Sequence, residues 1–161
     1  MYSLNVPVPP AVARLASGLG GTLHTARVRE HHGLVAKRLG ESPKARRVRR
    51  ALADAEAAPF AIRTTGIEAF ERPPAGPGPV VYLAVESPEL HRLHDRLCEA
   101  FEPVAGMEAT GYTPHVTIAR GGDAAALLDR DPPEPREWTV ERLELRDARR
   151  DLAVESVALP A

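Results

Sequence analysis

Apolar and polar positions alternate over residues 2–8, where Tyr2, Leu4, Val6 and Val8 are interleaved with Ser, Asn and Pro, a period of two that predicts a strand. Pro9-Pro10 ends it. The period then lengthens over 11–19, where Val12, Leu15 and Leu19 form one stripe of a short helix that Gly20-Gly21 breaks. Residues 27–39 read as a strand or strand pair running through His31-His32-Gly33-Leu34-Val35 and ending at Gly40. Ser42-Pro43 is a helix start, with Ser as N-cap and Pro at the first helical position, and residues 44–56 continue it with Val48, Leu52 and Ala55 inward. Residues 60–70 are strand-like again, anchored by Phe60, Ile62, Ile67 and Phe70.

A proline–glycine link, residues 73–79, punctuates the chain near its middle, and the same order then repeats. Residues 80–85 predict a strand. Ser87-Pro88 caps a helix over 89–101 with an apolar stripe of Leu90, Leu93, Leu97 and Phe101. A loop over 102–113 leads to a strand that starts at His115. A short helix is predicted over 123–128, and strands over 138–145 and 152–159 flank a turn at 147–151. Each half reads strand, helix, His-bearing strand, helix, strand. A duplicated unit of this kind places two histidine strands face to face about a pseudo-twofold axis.

Composition narrows the picture. At 161 residues and 43% hydrophobic, the chain is expected to form a single bilobal domain, with lobe-forming halves near 1–78 and 79–161 whose strands are free to exchange. Cys98 is the only cysteine, so no internal disulfide or Cys-based zinc site is possible. No apolar run nears the ~20 residues that span a bilayer. The start lacks a basic leader, and a cytoplasmic, monomeric protein without membrane contact is expected. The formal charge of −1 hides an asymmetry: residues 1–78 carry 12 Lys and Arg against 6 Asp and Glu, residues 79–161 carry 9 against 16. That suits either an anion-binding face or mutual attraction of the halves.

Candidate chemistry concentrates in Tyr112-Thr113-Pro114-His115-Val116-Thr117-Ile118-Ala119-Arg120. Pro114 suits a strand's first position, and β-branched residues follow. His115 and Thr117 share one face, roughly 7 Å apart at about 3.3 Å rise per residue, a spacing one phosphate-sized group bridges. In the first half His32 is the preferred counterpart, because Leu34 on its face starts the apolar run; a bulge would turn His31 inward instead, and His24-Thr25 is a weaker candidate. Lys37 and Arg38 lie just beyond, where at least one could face the cleft, although a structural role is the stronger expectation. The basic run 44–50 reads as an RNA-steering face or simply as a solvated one. His91 and His94 read as helix residues, Cys98 as inert, and Trp138 as core packing rather than a base-stacking platform.

His115-Val116-Thr117-Ile118, preceded by Pro114 and followed by Arg120, resembles the H-x-T-x motif of the two-histidine (2H) phosphoesterase superfamily, in particular its 2′-5′ RNA ligase and RNA cyclic phosphodiesterase branch. Residues 59–63 leading to Gly66 and Phe70, then Val80-Val81-Tyr82-Leu83-Ala84-Val85-Glu86, resemble the segment between that family's two motifs, and Leu39-Gly40 resembles the end of its first. In the first half His32-Gly33-Leu34 has leucine, and His31-His32-Gly33 has glycine, where the motif has threonine.

The resemblance implies an α+β fold of two pseudo-symmetric lobes, each a small antiparallel sheet backed by helices, around a central cleft. It implies a metal-independent phosphodiesterase, without cofactor, acting on RNA or nucleotides that carry a 2′,3′-cyclic phosphate or a 2′-5′ linkage, with reversible 2′-5′ ligation as a related activity. His32 and His115 would be acid and base, Thr117 and Arg120 would bind phosphate, and His31 and Lys37 would be alternative or auxiliary groups. Two imidazoles suit this chemistry because one ring accepts water's proton while the other protonates the leaving oxygen. A catalytically impaired nucleotide-binding module of the same fold is the alternative, motivated by the missing first-half threonine.

Overall fold

The computed structural model describes residues 1–41 and 43–161. Among the described residues, nine strands and three α-helices follow one another as β1 (Tyr2–Val6), α1 (Pro10–Gly20), β2 (Arg27–Val28), β3 (Leu34–Gly40), α2 (Ala45–Asp54), β4 (Phe60–Phe70), β5 (Val80–Glu86), α3 (Pro88–Ala100), β6 (His115–Arg120), β7 (Glu137–Val140), β8 (Arg142–Asp147) and β9 (Leu152–Ala158). The strands form two antiparallel sheets, β3-β1-β8-β9 and β2-β6-β5-β4-β7. The expected α+β architecture of two small antiparallel sheets with helices is what the chain forms.

Each sheet draws on both halves of the sequence. β4 leaves the first half to pair with β5, while β8 and β9 return from the C-terminal half to extend β1. α1 packs on β6 and α3 on β3, so each sheet is also backed by the helix of the opposite half. Leu4, Leu34, Leu52, Leu83, Leu97, Val116, Ile118 and Leu143 belong to one buried apolar cluster shared by both sheets. Burying a side chain of this size stabilises by about 1.5–3 kcal/mol.

Local sequence chemistry accounts for most element ends. Ser87 caps α3: its Oγ accepts from the Leu90 amide at 3.2 Å and donates to the Ala61 carbonyl at 2.8 Å, tying the helix start to β4. α2 begins later than the Ser42-Pro43 signal suggests, at Ala45 with Lys44 in the N-cap position; Ser42 itself lies outside the described residues. The segment expected as one strand over 138–145 is two, because the chain changes sheets at Glu141: β7 pairs with β4 and β8 with β1. The expected histidine strand of the first half also divides. β2 stops at Val28 and β3 starts at Leu34, leaving His31 and His32 on the connection between them.

Candidate active site

β3 and β6 meet where the two sheets approach, and they are built alike. On β6 the pairing with β5 skips Ile118: Tyr82 stands opposite Thr117 and Val81 opposite Ala119. On β3 the pairing with β1 skips Ala36: Asn5 stands opposite Val35 and Leu4 opposite Lys37. A bulge of this kind turns the side chains beyond it by one position. On β6 the residues facing the cavity are consequently His115, Thr117 and Arg120, and on β3 and the residue before it they are Gly33, Val35 and Arg38, the same spacing of two and then three. The two-fold relation therefore matches Gly33 with His115, Val35 with Thr117 and Arg38 with Arg120.

These residues line a cavity of about 620 Å³, completed by Ser3, Asn5, Arg27, Val28, Arg29, Glu30, His31, Arg146, Ala148 and Asp151. Five arginines face it against two carboxylates. Arg146 is matched by Asp151 at 3.1 Å and Glu144 at 3.6 Å. Among the described residues, Arg27, Arg29, Arg38 and Arg120 have no carboxylate partner within 4.0 Å. The result is a cationic basin suited to an anion. Arg120 is steadied by the proline–glycine link, donating from Nη1 to the Ala75 carbonyl at 3.1 Å.

His115 is half-buried, its ring edge-on to Phe70 at 4.9 Å and tilted against Tyr82 at 5.1 Å. Its Nδ1 lies 2.7 Å from the Thr113 carbonyl, an acceptor only, so Nδ1 carries the proton and Nε2 keeps its lone pair. Burial pushes the imidazole's pKa below its ordinary value, the Thr113 carbonyl offsets part of that, and the Arg38 and Arg29 charges add to the lowering.

The structure corrects two expectations about the partner groups. His32 does not line the cavity; it is 7% exposed, with Nδ1 bonded to the Thr117 carbonyl at 3.2 Å and Nε2 to Ser17 Oγ at 3.0 Å. β2 leaves the edge of β6 before Thr117, and the His32 ring takes up the ladder position left there. Its neighbour His31, exposed, is the first-half histidine that lines the cavity, alongside His115. Lys37 is also turned away, fully buried, with Nζ 2.7 Å from Glu108 Oε1, 2.8 Å from the Arg38 carbonyl and 3.3 Å from the Glu102 carbonyl. The bulge at Ala36 is the cause: it sends Lys37 into the interior and Arg38 into the cavity.

The remaining candidates are scattered. No residue of α2 lines this cavity, and its Arg49 and Arg50 pair with Glu155 and Asp54. His24 contributes its amide to Asp123, at 2.8 Å. His94 is buried in a network of its own, Cys98 stands 3.5 Å from it, and Trp138 packs against the core. Among the described residues, no three His, Cys, Asp or Glu side chains are placed to hold a metal ion, and no helix is long and apolar enough to cross a membrane.

Sequence reasoning passed over Arg27, Arg29, Ser3, Asn5 and Val35. One signal was present. Arg38 follows Gly33 by five residues as Arg120 follows His115.

Comparison with known proteins agrees with this fold. The fold is similar to that of TT0787 of Thermus thermophilus, at 19% identity and TM-score 0.64 over 98% of this chain and 97% of that one. It is similar to E. coli LigT complexed with 3′-AMP, at 16% identity and TM-score 0.65 over 99% and 98% of the two chains. The complex of LigT with NADP+ compares at 18% identity and TM-score 0.64, over 98% and 96%. No curated protein matches the sequence. The family model of the 2′-5′ RNA ligase superfamily matches residues 24–152, which span β2 to the start of β9 and include both cavity-lining strands, and the chain belongs to that superfamily.

Proposed function

We propose that the chain is a phosphodiesterase that opens a 2′,3′-cyclic phosphate, or cleaves a 2′-5′ linkage, at the end of an RNA or nucleotide. The observation that carries this reading is that His115, Thr117 and Arg120 share one cavity with His31 and with Arg27, Arg29 and Arg38, which have no carboxylate partner among the described residues. LigT, whose fold this chain shares, has been captured with 3′-AMP, ATP and NADP+, all phosphate-bearing nucleotides, which supports a nucleotide ligand here.

His115 is suited to the base: its Nε2 lone pair is uncommitted and its surroundings favour the uncharged ring. A water placed against phosphorus gives its proton to Nε2 as its oxygen forms the new P–O bond. The bond from phosphorus to one ribose oxygen breaks, and His31 delivers a proton to that alkoxide, leaving a phosphomonoester and a free hydroxyl. Thr117 and the arginines hold the non-bridging oxygens, where charge develops. With a ribose hydroxyl in place of water as the nucleophile, the same groups would open the cyclic phosphate to a 2′-5′ diester and a free hydroxyl, which is ligation. The scheme employs no metal.

A second reading, a nucleotide-binding module without turnover, is favoured by Gly33 and Val35 standing opposite His115 and Thr117. An oligonucleotide ending in a 2′,3′-cyclic phosphate, incubated with the protein and EDTA, separates the two. Turnover that His115→Ala and His31→Ala each abolish is expected; binding with no turnover establishes the second reading, and turnover lost on adding EDTA refutes the metal-free scheme.

A further inference from the structure

A side chain sits where the first sheet's half of the site has no motif residue. Asn5 lies on β1 opposite Val35 and is 7% exposed. Its Oδ1 accepts a hydrogen bond from Ser3 Oγ at 2.7 Å, which turns the Nδ2 end away from Ser3. Nδ2 has no hydrogen-bond partner among the described residues, yet it is not sealed from water, and Asn5 lines the cavity. The opening is Gly33. A β-carbon at Gly33 would stand 3.1 Å from Nδ2, and would also meet the His31 ring at 3.9 Å. Gly33 does not hold a left-handed backbone conformation, so its value here is the space it leaves.

We propose that Asn5 is a phosphate-binding residue of this site: its Nδ2, reaching the cavity past Gly33, donates to a phosphoryl oxygen that Thr117 and Arg120 hold from the other sheet. The proposal deepens the reading of the cavity as a phosphate site and rests on it. Val35 has no hydroxyl to offer an oxyanion, whereas an oriented amide with two idle N–H groups does what the Thr117 hydroxyl does across the cavity. A largely buried donor of this kind also loses little entropy on binding, because Ser3 already fixes its rotamer.

The test is titration of inorganic phosphate at low ionic strength, followed calorimetrically, with melting temperature recorded for each variant. Asn5→Asp keeps the acceptor for Ser3 but presents an oxygen in place of Nδ2, and is expected to weaken phosphate binding by about tenfold or more. Gly33→Ala leaves Asn5 intact and covers Nδ2 with a methyl group, and is expected to weaken binding several-fold by roughly the same loss of a donor. Wild-type affinity in both variants overturns the proposal; should Asn5→Asp fail to fold, Gly33→Ala decides alone. A wild-type protein that binds phosphate through Asn5 yet never turns over a cyclic phosphate refutes the phosphodiesterase and leaves the role of Asn5 standing. A wild-type protein that binds no phosphate overturns both.

Discussion

His32 Nδ1 donates to the main-chain carbonyl of Thr117 across 3.2 Å, so the histidine beside the cavity braces the strand that carries the cavity's best-formed half. The same ring is bonded to Ser17 of α1 through Nε2, joining helix, loop and strand edge. With His32 held inward, the next residue back along the chain, His31, is left at the cavity.

Removal of this brace is expected to be felt in stability first. His32→Ala empties a buried site and leaves the half-buried Thr117 carbonyl without its partner, a cost of about 1–3 kcal/mol for the unsatisfied group, while the exposed Ser17 hydroxyl turns to water. Melting should fall by several degrees. His31→Ala, at an exposed position, should melt as the wild type does while losing turnover. If the two variants show the opposite pattern, their roles are exchanged.

The acid limb of the pH–rate profile should report His115. Its folded pKa lies below 6.5 because burial, Arg38 and Arg29 all disfavour the imidazolium. As a base it works above that pKa, so kcat/KM should hold down through pH 6.5 and fall only at lower pH. Arg38→Ala removes a positive charge, which raises the pKa and moves the limb to higher pH. Arg46→Ala, on α2 and away from the cavity, should leave it in place. An unmoved limb in Arg38→Ala would show that Arg38 does not act on His115.

Much of the frame could be read from local pattern. Apolar anchors at Phe60, Ile62, Ile67 and Phe70 marked β4, Ser87-Pro88 marked the start of α3, and Pro114 before β-branched residues marked β6. What alternation does not reveal is a bulge. The skipped Ala36 moves Lys37 inward and Arg38 outward, and that reversal has no signature in hydrophobicity. The histidine partner was obscured for a related reason: a search for a strand-borne imidazole settles on His32, while the strand begins only at Leu34 and Gly33 holds the matching place. The change of sheet at Glu141 depends on contacts far away in sequence, with β4 and β1, and no local residue announces it.

Restoring the hydroxyl absent from β3 should strengthen the site. Val35 lines the cavity and is half-buried, and threonine has nearly its shape, so Val35→Thr adds an oxygen without displacing a neighbour. A hydrogen bond to a charged oxygen is worth about 1.5–3 kcal/mol where well aligned, so phosphate should bind roughly tenfold more tightly. Calorimetric titration measures this directly. Unchanged affinity would mean that the anion does not approach β3 at this level.

The buried pair beneath the cavity is expected to matter for stability alone. Lys37 and Glu108 have no exposed side-chain surface, and Glu108 also accepts from the Arg38 and Val104 amides at 2.8 and 3.0 Å. Burial by itself would raise the Glu108 pKa; the two amides and Lys37 outweigh it and hold the carboxyl below its ordinary value. Lys37→Met strands that carboxylate and should cost about 3–5 kcal/mol, visible as a lower denaturation midpoint. The acid limb set by His115 should not follow. A Lys37 variant that is as stable as wild type would contradict this account.

His94 gives the fold a second, milder pH dependence. Its ring is stacked on Tyr112 at 3.7 Å, with Nδ1 donating to the Ala36 carbonyl at 2.8 Å and Nε2 accepting from the Ala109 amide at 2.9 Å. Those bonds tie β3 to the segment that leads into His115, and they require an uncharged ring, because a proton on Nε2 would face the Ala109 N–H. Burial is the largest cause of the lowered pKa and the Lys37 charge adds to it, set against the Ala36 carbonyl and the charges of Glu108 and Asp95. The folded pKa is depressed relative to 6.5, so the unfolded chain takes up the proton more readily. The stabilising contribution is therefore complete above pH 6.5 and is lost as pH falls through the folded value. Melting temperature should decline from pH 7 to pH 5, and the decline should be shallower in His94→Gln, which cannot titrate. An equal slope in both proteins would place the pH dependence elsewhere in the molecule.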